Sequence, residues 1–236
     1  MEKPDDAFEI RMTTKDFKVI SVAVGQYGLE GSLYLPSDPV GIIIFAHGSG
    51  SSRFSPRNIF VAKQLVKCGF ACLLFDLLTS DEARDRRNVF DIPLLGARVA
   101  EAVSWALANP IVSGAPVGLF GASTGAAAAL VAAAQAALRI SAVVSRGGRP
   151  DLAGTALGQV QAPTLLIVGG LDHEVIELNK EALGKLNCVA QLEIVPGATH
   201  LFEEPGTLEH VVERAAAWFL EHIHGPAFGR DGAGRE

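Results

Sequence analysis

The 236-residue chain carries a net charge of −6 and is 49% hydrophobic, long enough to bury the core of one α/β domain and acidic enough to argue against nucleic acid as a partner. No apolar run approaches the ~18 residues that cross a membrane, and the opening MEKPDDAFEI lacks the apolar stretch of a secretory signal. The chain is therefore read as cytoplasmic with no membrane partner, and its three cysteines, Cys68, Cys72 and Cys188, lack metal-ligand spacing and read as buried reduced thiols.

In chain order, residues 1–14 form a polar lead. Phe17 to Val24 and Leu29 to Leu35 alternate apolar and polar residues around a Gly-containing turn, the pattern of an antiparallel hairpin at a sheet edge. The pattern then changes. Gly41 to Ala46, Phe70 to Phe75, Val117 to Phe120, Ile140 to Val144 and Thr164 to Val168 are short and almost continuously apolar, as central parallel strands covered on both faces must be. Gln191 to Val195 reads as a last strand toward the other edge.

Helical patterns fill the gaps. Ser55 and Pro56 supply an N-cap and a first helical position for a helix reaching Lys67 and stopped near Gly69. Arg84, Arg86 and Arg87, interleaved with acids, read as a solvated loop. Pro93 to Ala108 is amphipathic and ends at Asn109-Pro110. Gly125 to Leu138 is Ala-rich on all sides, a buried helix lying close against the sheet. Val175 to Leu186 and Leu208 to Ile223 are amphipathic, and the Gly-rich charged tail at 224–236 is expected to fray. Alternation of this kind predicts one α/β domain over residues 15–223 with right-handed crossovers.

Gly121-Ala122-Ser123-Thr124-Gly125 fits G-x-S-x-G, a short pattern of low specificity by itself. Its setting adds weight: an apolar strand ends at the motif and a helix begins there, the strand-turn-helix context of an exposed nucleophilic serine. Glycine at 121 and 125 would spare the sharp turn a backbone clash. The bland alternative is an N-cap serine beside a glycine turn. A serine hydroxyl needs a base, and the base an orienting acid. Asp172, in Gly169-Gly170-Leu171-Asp172, and His200, in Pro196-Gly197-Ala198-Thr199-His200, both follow apolar strands in the order Ser, Asp, His. Asp172 could instead be only a helix cap and His200 an ordinary loop histidine. Asp76 is the rival acid. His173 is the rival base, but sits beside the acid and would face away from it; His210, His222 and His224 read as surface residues. The loop His47-Gly48-Ser49-Gly50-Ser51-Ser52 follows another apolar strand, and the backbone N–H groups of Ser49 and Thr124 are the expected oxyanion donors, with His47 packed beneath the loop.

HGSGSS, GASTG, GGLD and PGATH, in this order and spacing, resemble the α/β-hydrolase superfamily. They are most similar to its dienelactone-hydrolase-like group, including domains fused to phosphoribosyltransferases. The resemblance covers roughly residues 15 to 223. It implies a mostly parallel sheet of about eight strands with helices on both faces, a Ser-His-Asp triad and no cofactor. Dienelactone hydrolases usually carry a cysteine where this chain has Ser123, which favours an ordinary esterase. The segment from Ser145 to Pro163, where related hydrolases often insert a lid, is short, so an open site for small or short-chain esters is expected. Arg53 and Arg146 are candidates for binding a carboxylate or phosphate on the substrate, with surface or structural roles as the alternative. The reading is a serine hydrolase of small carboxylic esters. Lactone hydrolysis, acyl transfer or perhydrolysis by the same residues is a second possibility, and a binding module without turnover a third.

Overall fold

A computed structural model describes residues 17–223. The lead at 1–14 and the tail at 224–236, with the fraying expected of it, lie outside the described residues. Eight strands form one sheet: β1 Phe17–Val24, β2 Leu29–Pro36, β3 Gly41–Ala46, β4 Phe70–Phe75, β5 Val117–Ala122, β6 Ala142–Arg146, β7 Thr164–Gly169 and β8 Ala190–Val195. Their spatial order is β1-β2-β4-β3-β5-β6-β7-β8. The β1–β2 hairpin and the β2–β4 pair are antiparallel, and every other pairing is parallel. This is the mostly parallel α/β-hydrolase fold.

Among the described residues five α-helices cover the sheet: α1 Pro56–Lys67, α2 Ile92–Ala108, α3 Thr124–Ala133, α4 His173–Leu183 and α5 Thr207–His222. Side chains alternate across a strand, and β3 shows the consequence. Ile42 and Ile44 pack in a core with α2 and α3, whereas Ile43 and Phe45 pack in a second core with α1 and α5. β3, β4, β5, β6 and β7 are buried along their whole length, while β1 and β8 at the edges are half exposed. Phe45 and Phe120 stack at the centre with ring centroids 4.9 Å apart.

Two boundaries differ from expectation. α3 stops at Ala133 instead of reaching Leu138; Gln135 turns to extended geometry and a short 3-10 turn, Ala136–Leu138, follows. A run of alanines carries no stop signal, so its length does not mark where the helix ends. β6 begins two residues late and runs on through Ser145 and Arg146, whose polar side chains are buried at the end of the sheet. No lid is present. Residues Pro150–Gln159 form a 3-10 stretch whose Ala153 and Leu157 join the core beneath α3. Among the described residues, no helix is long and apolar enough to cross a membrane.

The cysteines are only partly as expected. Cys72 is fully buried, but Cys68 and Cys188 are half-buried. Burial pushes all three thiols up, Cys72 furthest, which suppresses the reactive thiolate. The Arg84 and Arg87 side chains are exposed and paired with Asp81 and Asp85.

Candidate active site

The C-terminal ends of parallel strands converge on one rim of the sheet, and the residues singled out from the motifs lie along it. Ser123 follows β5 directly. Its φ of 52° and ψ of −123° are strained for a residue with a side chain, as expected at a turn folding a strand straight back into a helix. The flanking glycines make the turn possible. A Cβ on Gly121 would lie 2.4 Å from Ala126 Cα, and one on Gly125 would lie 2.2 Å from the Ala46 carbonyl oxygen. Ser123 occupies the N-cap position of α3, yet its side chain makes no capping hydrogen bond. The hydroxyl is therefore not spent on the helix.

Asp172 repeats this behaviour. It stands at the N-cap of α4, but its carboxylate does not cap. It meets His200 instead, with Asp172 Oδ2 2.6 Å from Nδ1 of the ring. An ionised carboxylate can only accept, so Nδ1–H donates and Nε2 is left for another partner. His200 and Ser123 line the same cavity, of about 260 Å³. Among the described residues no direct hydrogen bond joins Ser123 Oγ to the ring, a looseness common before substrate binds. The loop carrying His200 is held by a contact not foreseen from the motifs. Glu204 accepts from both the N–H and the hydroxyl of Thr199, at 3.0 and 2.6 Å, and these bonds hold its carboxyl below the usual range.

The rival residues are occupied elsewhere. Asp76 accepts from the Arg53 N–H at 2.8 Å and pairs with the Arg53 guanidinium. Arg53 also pairs with Glu30. Of the two roles open to Arg53, the structural one is what its contacts show: two acids at the ends of β2 and β4 hold its guanidinium, and it does not line the Ser123 cavity. His47 does sit beneath its loop. Nδ1–H donates to the Gly48 carbonyl at 3.0 Å, and Nε2 accepts from the Leu77 N–H at 3.2 Å. His210 bonds Glu193 at 3.0 Å, and His222 packs edge-on against Trp218 with its Nε2 buried, so neither is a simple surface residue. His173 opens α4, and His224 lies outside the described residues.

The two expected oxyanion donors differ in state. Thr124 N–H belongs to the first turn of α3, where no helical carbonyl lies behind it. Ser49 N–H is engaged: it donates to Thr124 Oγ1 at 2.8 Å. That bond ties the loop to the start of α3. The loop passes so close that a Cβ on Gly48 would lie 2.9 Å from Ser123 Cβ.

Arg146 does line the cavity, joined by two residues that no motif pointed to, Arg57 and Asn58 from the first turn of α1. Ser123 N–H donates to the Arg146 carbonyl at 3.3 Å, which fixes β6 beside the turn. Gly48, Ser49 and Ser51 wall both this cavity and a more apolar one of about 330 Å³, lined further by Leu77, Leu78 and Val89. Among the described residues no cluster of His, Cys, Asp and Glu is placed to hold a metal ion.

The dienelactone hydrolase family matches residues 29–223. The dienelactone hydrolase of Anabaena variabilis, known from its crystal structure, is 50% identical, superposes with a TM-score of 0.85, and covers 90% of this chain and 100% of its own. Est1E from Butyrivibrio proteoclasticus shares the fold, with a TM-score of 0.70 at 18% identity over 87% of this chain and 98% of its own. A curated Mycobacterium tuberculosis protein, provisionally named a phosphoribosyl transferase, is 57% identical over 207 residues, 88% of this chain. The chain spans about half of that relative's length, 47%.

Proposed function

The chain belongs to the dienelactone hydrolase family, and from that premise we propose that it is a serine hydrolase cleaving small carboxylic esters, with residues 15–223 as its catalytic domain. The observation that carries the reading is the pair of helix-capping positions whose side chains do not cap: Ser123 and Asp172 stand at N-caps of α3 and α4, and Asp172 is turned to His200 instead. In this reading His200 Nε2 takes the proton as Ser123 Oγ attacks the ester carbonyl. Asp172 holds the ring's tautomer and stabilises its cation. Thr124 N–H receives the oxyanion, and Ser49 N–H joins it when the Thr124 hydroxyl rotates away or shares the bond. His200 then protonates the leaving alcohol, and water releases the acyl group by the reverse sequence. The cavity of about 260 Å³ and the absence of a lid among the described residues favour small or short-chain acyl groups.

The longer relative's name describes a protein about twice this length, so we assign hydrolase chemistry to the shared portion alone. Lactone hydrolysis is the second reading, favoured by the 50% identity to the Anabaena dienelactone hydrolase. Unpaired thiols in all three cysteines support a reducing, cytoplasmic setting. The test is hydrolysis of 4-nitrophenyl acetate together with labelling by a fluorophosphonate probe. Ser123→Ala should abolish both; full turnover by that variant would overturn the proposal. A lactone offered in competition with the ester separates the two readings by product.

A further inference from the structure

Ser123, Asp172 and His200 sit on separate loops, and one short segment touches two of them. It runs from Arg146, the last residue of β6, to Arg149. It clasps Ser123 by its backbone on both sides. Ser123 N–H donates to the Arg146 carbonyl at 3.3 Å, and the Ser123 carbonyl accepts from Arg149 N–H at 3.1 Å. Between those bonds the segment lies against the His200 loop. Gly147 has a φ of 50°, and a Cβ there would lie 3.0 Å from the His200 carbonyl oxygen and 3.7 Å from Cε1 of its ring. Gly148 has no slack either: a Cβ on it would lie 1.9 Å from Ser145 Oγ and 2.6 Å from Ala126 Cβ. A shift of this segment therefore moves the Ser123 turn and the His200 loop relative to each other.

The tether on this segment comes from the helix that Asp172 begins. Asn179 lies seven residues after Asp172, two turns along the same face of α4. It is fully buried. Its Nδ2 donates to the Gly148 carbonyl at 3.0 Å and to the Val175 carbonyl of its own helix at 2.8 Å. Both neighbours are acceptors, so only the nitrogen end of the amide fits there, and both of its N–H bonds are used. The cost falls on the other end: Oδ1 is buried and has no partner among the described residues. An unpaired buried oxygen is unfavourable, and an apolar side chain would avoid it. The Val175 carbonyl gives no reason to keep the amide, because inside an α-helix it already accepts from the Asn179 backbone N–H. What the amide adds is the bond to Gly148.

We propose that Asn179 is a positioning residue for the hydrolysis. By holding Gly148 it fixes Arg146 to Arg149 against α4, and so sets Ser123, His200 and Asp172 at their working separation. The inference rests on the serine-hydrolase reading, since the reaction it serves is that one. Asn179 lines neither of the two cavities beside the glycine loop, so it acts through backbone alone. Small displacements matter here, because a misplacement of about 1 Å from a change remote from the chemistry can cost roughly a hundredfold in rate.

The test is Asn179→Leu, which keeps a branched side chain and removes the bond. One unpaired buried oxygen, Oδ1, is exchanged for another, the Gly148 carbonyl, so Tm should stay within about 2–4 °C of the wild type. On 4-nitrophenyl acetate, kcat should fall by about 10- to 100-fold with KM little changed. Fluorophosphonate labelling of Ser123 should slow by a similar factor and still reach completion. Asn179→Ser removes the same bond without adding bulk, its hydroxyl reaching back only to the Val175 carbonyl, and should reproduce the loss in kcat. Leu186→Ala is the opposite control. Leu186 is buried in the core just beyond α4, so its truncation should lower Tm and leave kcat per labelled site unchanged. Three results would overturn the proposal. One is a kcat within about twofold of the wild type in either Asn179 variant. Another is a loss of kcat that only follows the fall in Tm across all three variants. The third is failure of both Asn179 variants to fold, which would make the residue structural. Failure of the serine reading would show as turnover that survives Ser123→Ala; failure of the positioning role would leave Ser123-dependent turnover at the wild-type rate in the Asn179 variants.

Discussion

Ser123 and Asp172 show how little local sequence says about what a side chain does once folded. Both residue types are favoured helix caps, and both occupy cap positions, yet neither side chain bonds its helix. The carboxylate of Asp172 is aimed at His200 because the loops after β7 and β8 bring the two together at 2.6 Å. Replacing the acid by an amide keeps the shape but lets the ring adopt the wrong tautomer. Asp172→Asn should therefore lower kcat by about three to four orders of magnitude with KM and thermal stability little changed; a loss below tenfold would mean the contact is only structural. The residues proposed as nucleophile, acid and base could be picked out from the motifs because that chemistry requires fixed residue types after apolar strands. Arg53 and Glu204 could not. Arg53 looked like a substrate contact because it follows the glycine loop, but nothing in its own neighbourhood announces that Glu30 and Asp76, from other strands, will capture it. Glu204 is an ordinary acid until the fold places it under Thr199.

Elements were most legible where they carry explicit start and stop chemistry. α1 has both, and its observed span, Pro56–Lys67, matches the expected one at each end. The Ser55 hydroxyl accepts from the Asn58 N–H at 3.4 Å, a long but buried cap. Removing it in Ser55→Ala should cost about 0.5–1 kcal/mol, a fall in Tm of about 1–4 °C for a chain of this size. Because the same turn carries Arg57 and Asn58 into the cavity, activity should weaken alongside stability. Calorimetry and ester hydrolysis on one preparation check both, and an unchanged Tm would show that the cap contributes nothing. α3 was less legible. Its alanines say that it is buried, and Thr124 to Leu130 are buried without exception, but they supply no terminator. Apolar periodicity also misses strand ends that enter a functional site. β6 continues through Ser145 and Arg146, and a scan for apolar runs stops before them.

For the molecule as a whole, the apolar runs identified which strands are interior, and the alternating ones identified the exposed hairpin. The order of strands within the sheet is set by crossover handedness and by packing between distant segments, so it needed the structure. One buried side chain links that global packing to pH. His47 bridges the end of β3 to the segment after β4, donating from Nδ1 to Gly48 and accepting at Nε2 from Leu77 N–H. Its acceptor role requires a neutral ring. Burial lowers its affinity for a proton below the ordinary value of 6.5, outweighing the opposing effects of the Gly48 hydrogen bond and of Asp76. The unfolded chain regains the ordinary value and binds a proton that the native ring resists. Stability from this group is therefore complete above about pH 6.5 and is lost as pH falls through the lowered native value, by at most about 1.4 kcal/mol per pH unit. Other titrating groups contribute to the same limb, so the measurable quantity is a difference. The guanidinium-unfolding midpoint of the wild type should fall more steeply between pH 7.5 and 5 than that of His47→Gln, which can keep an acceptor for Leu77 and cannot titrate. Parallel curves for the two proteins would show that the buried imidazole stays neutral at no cost, and that the acid sensitivity of the fold lies elsewhere.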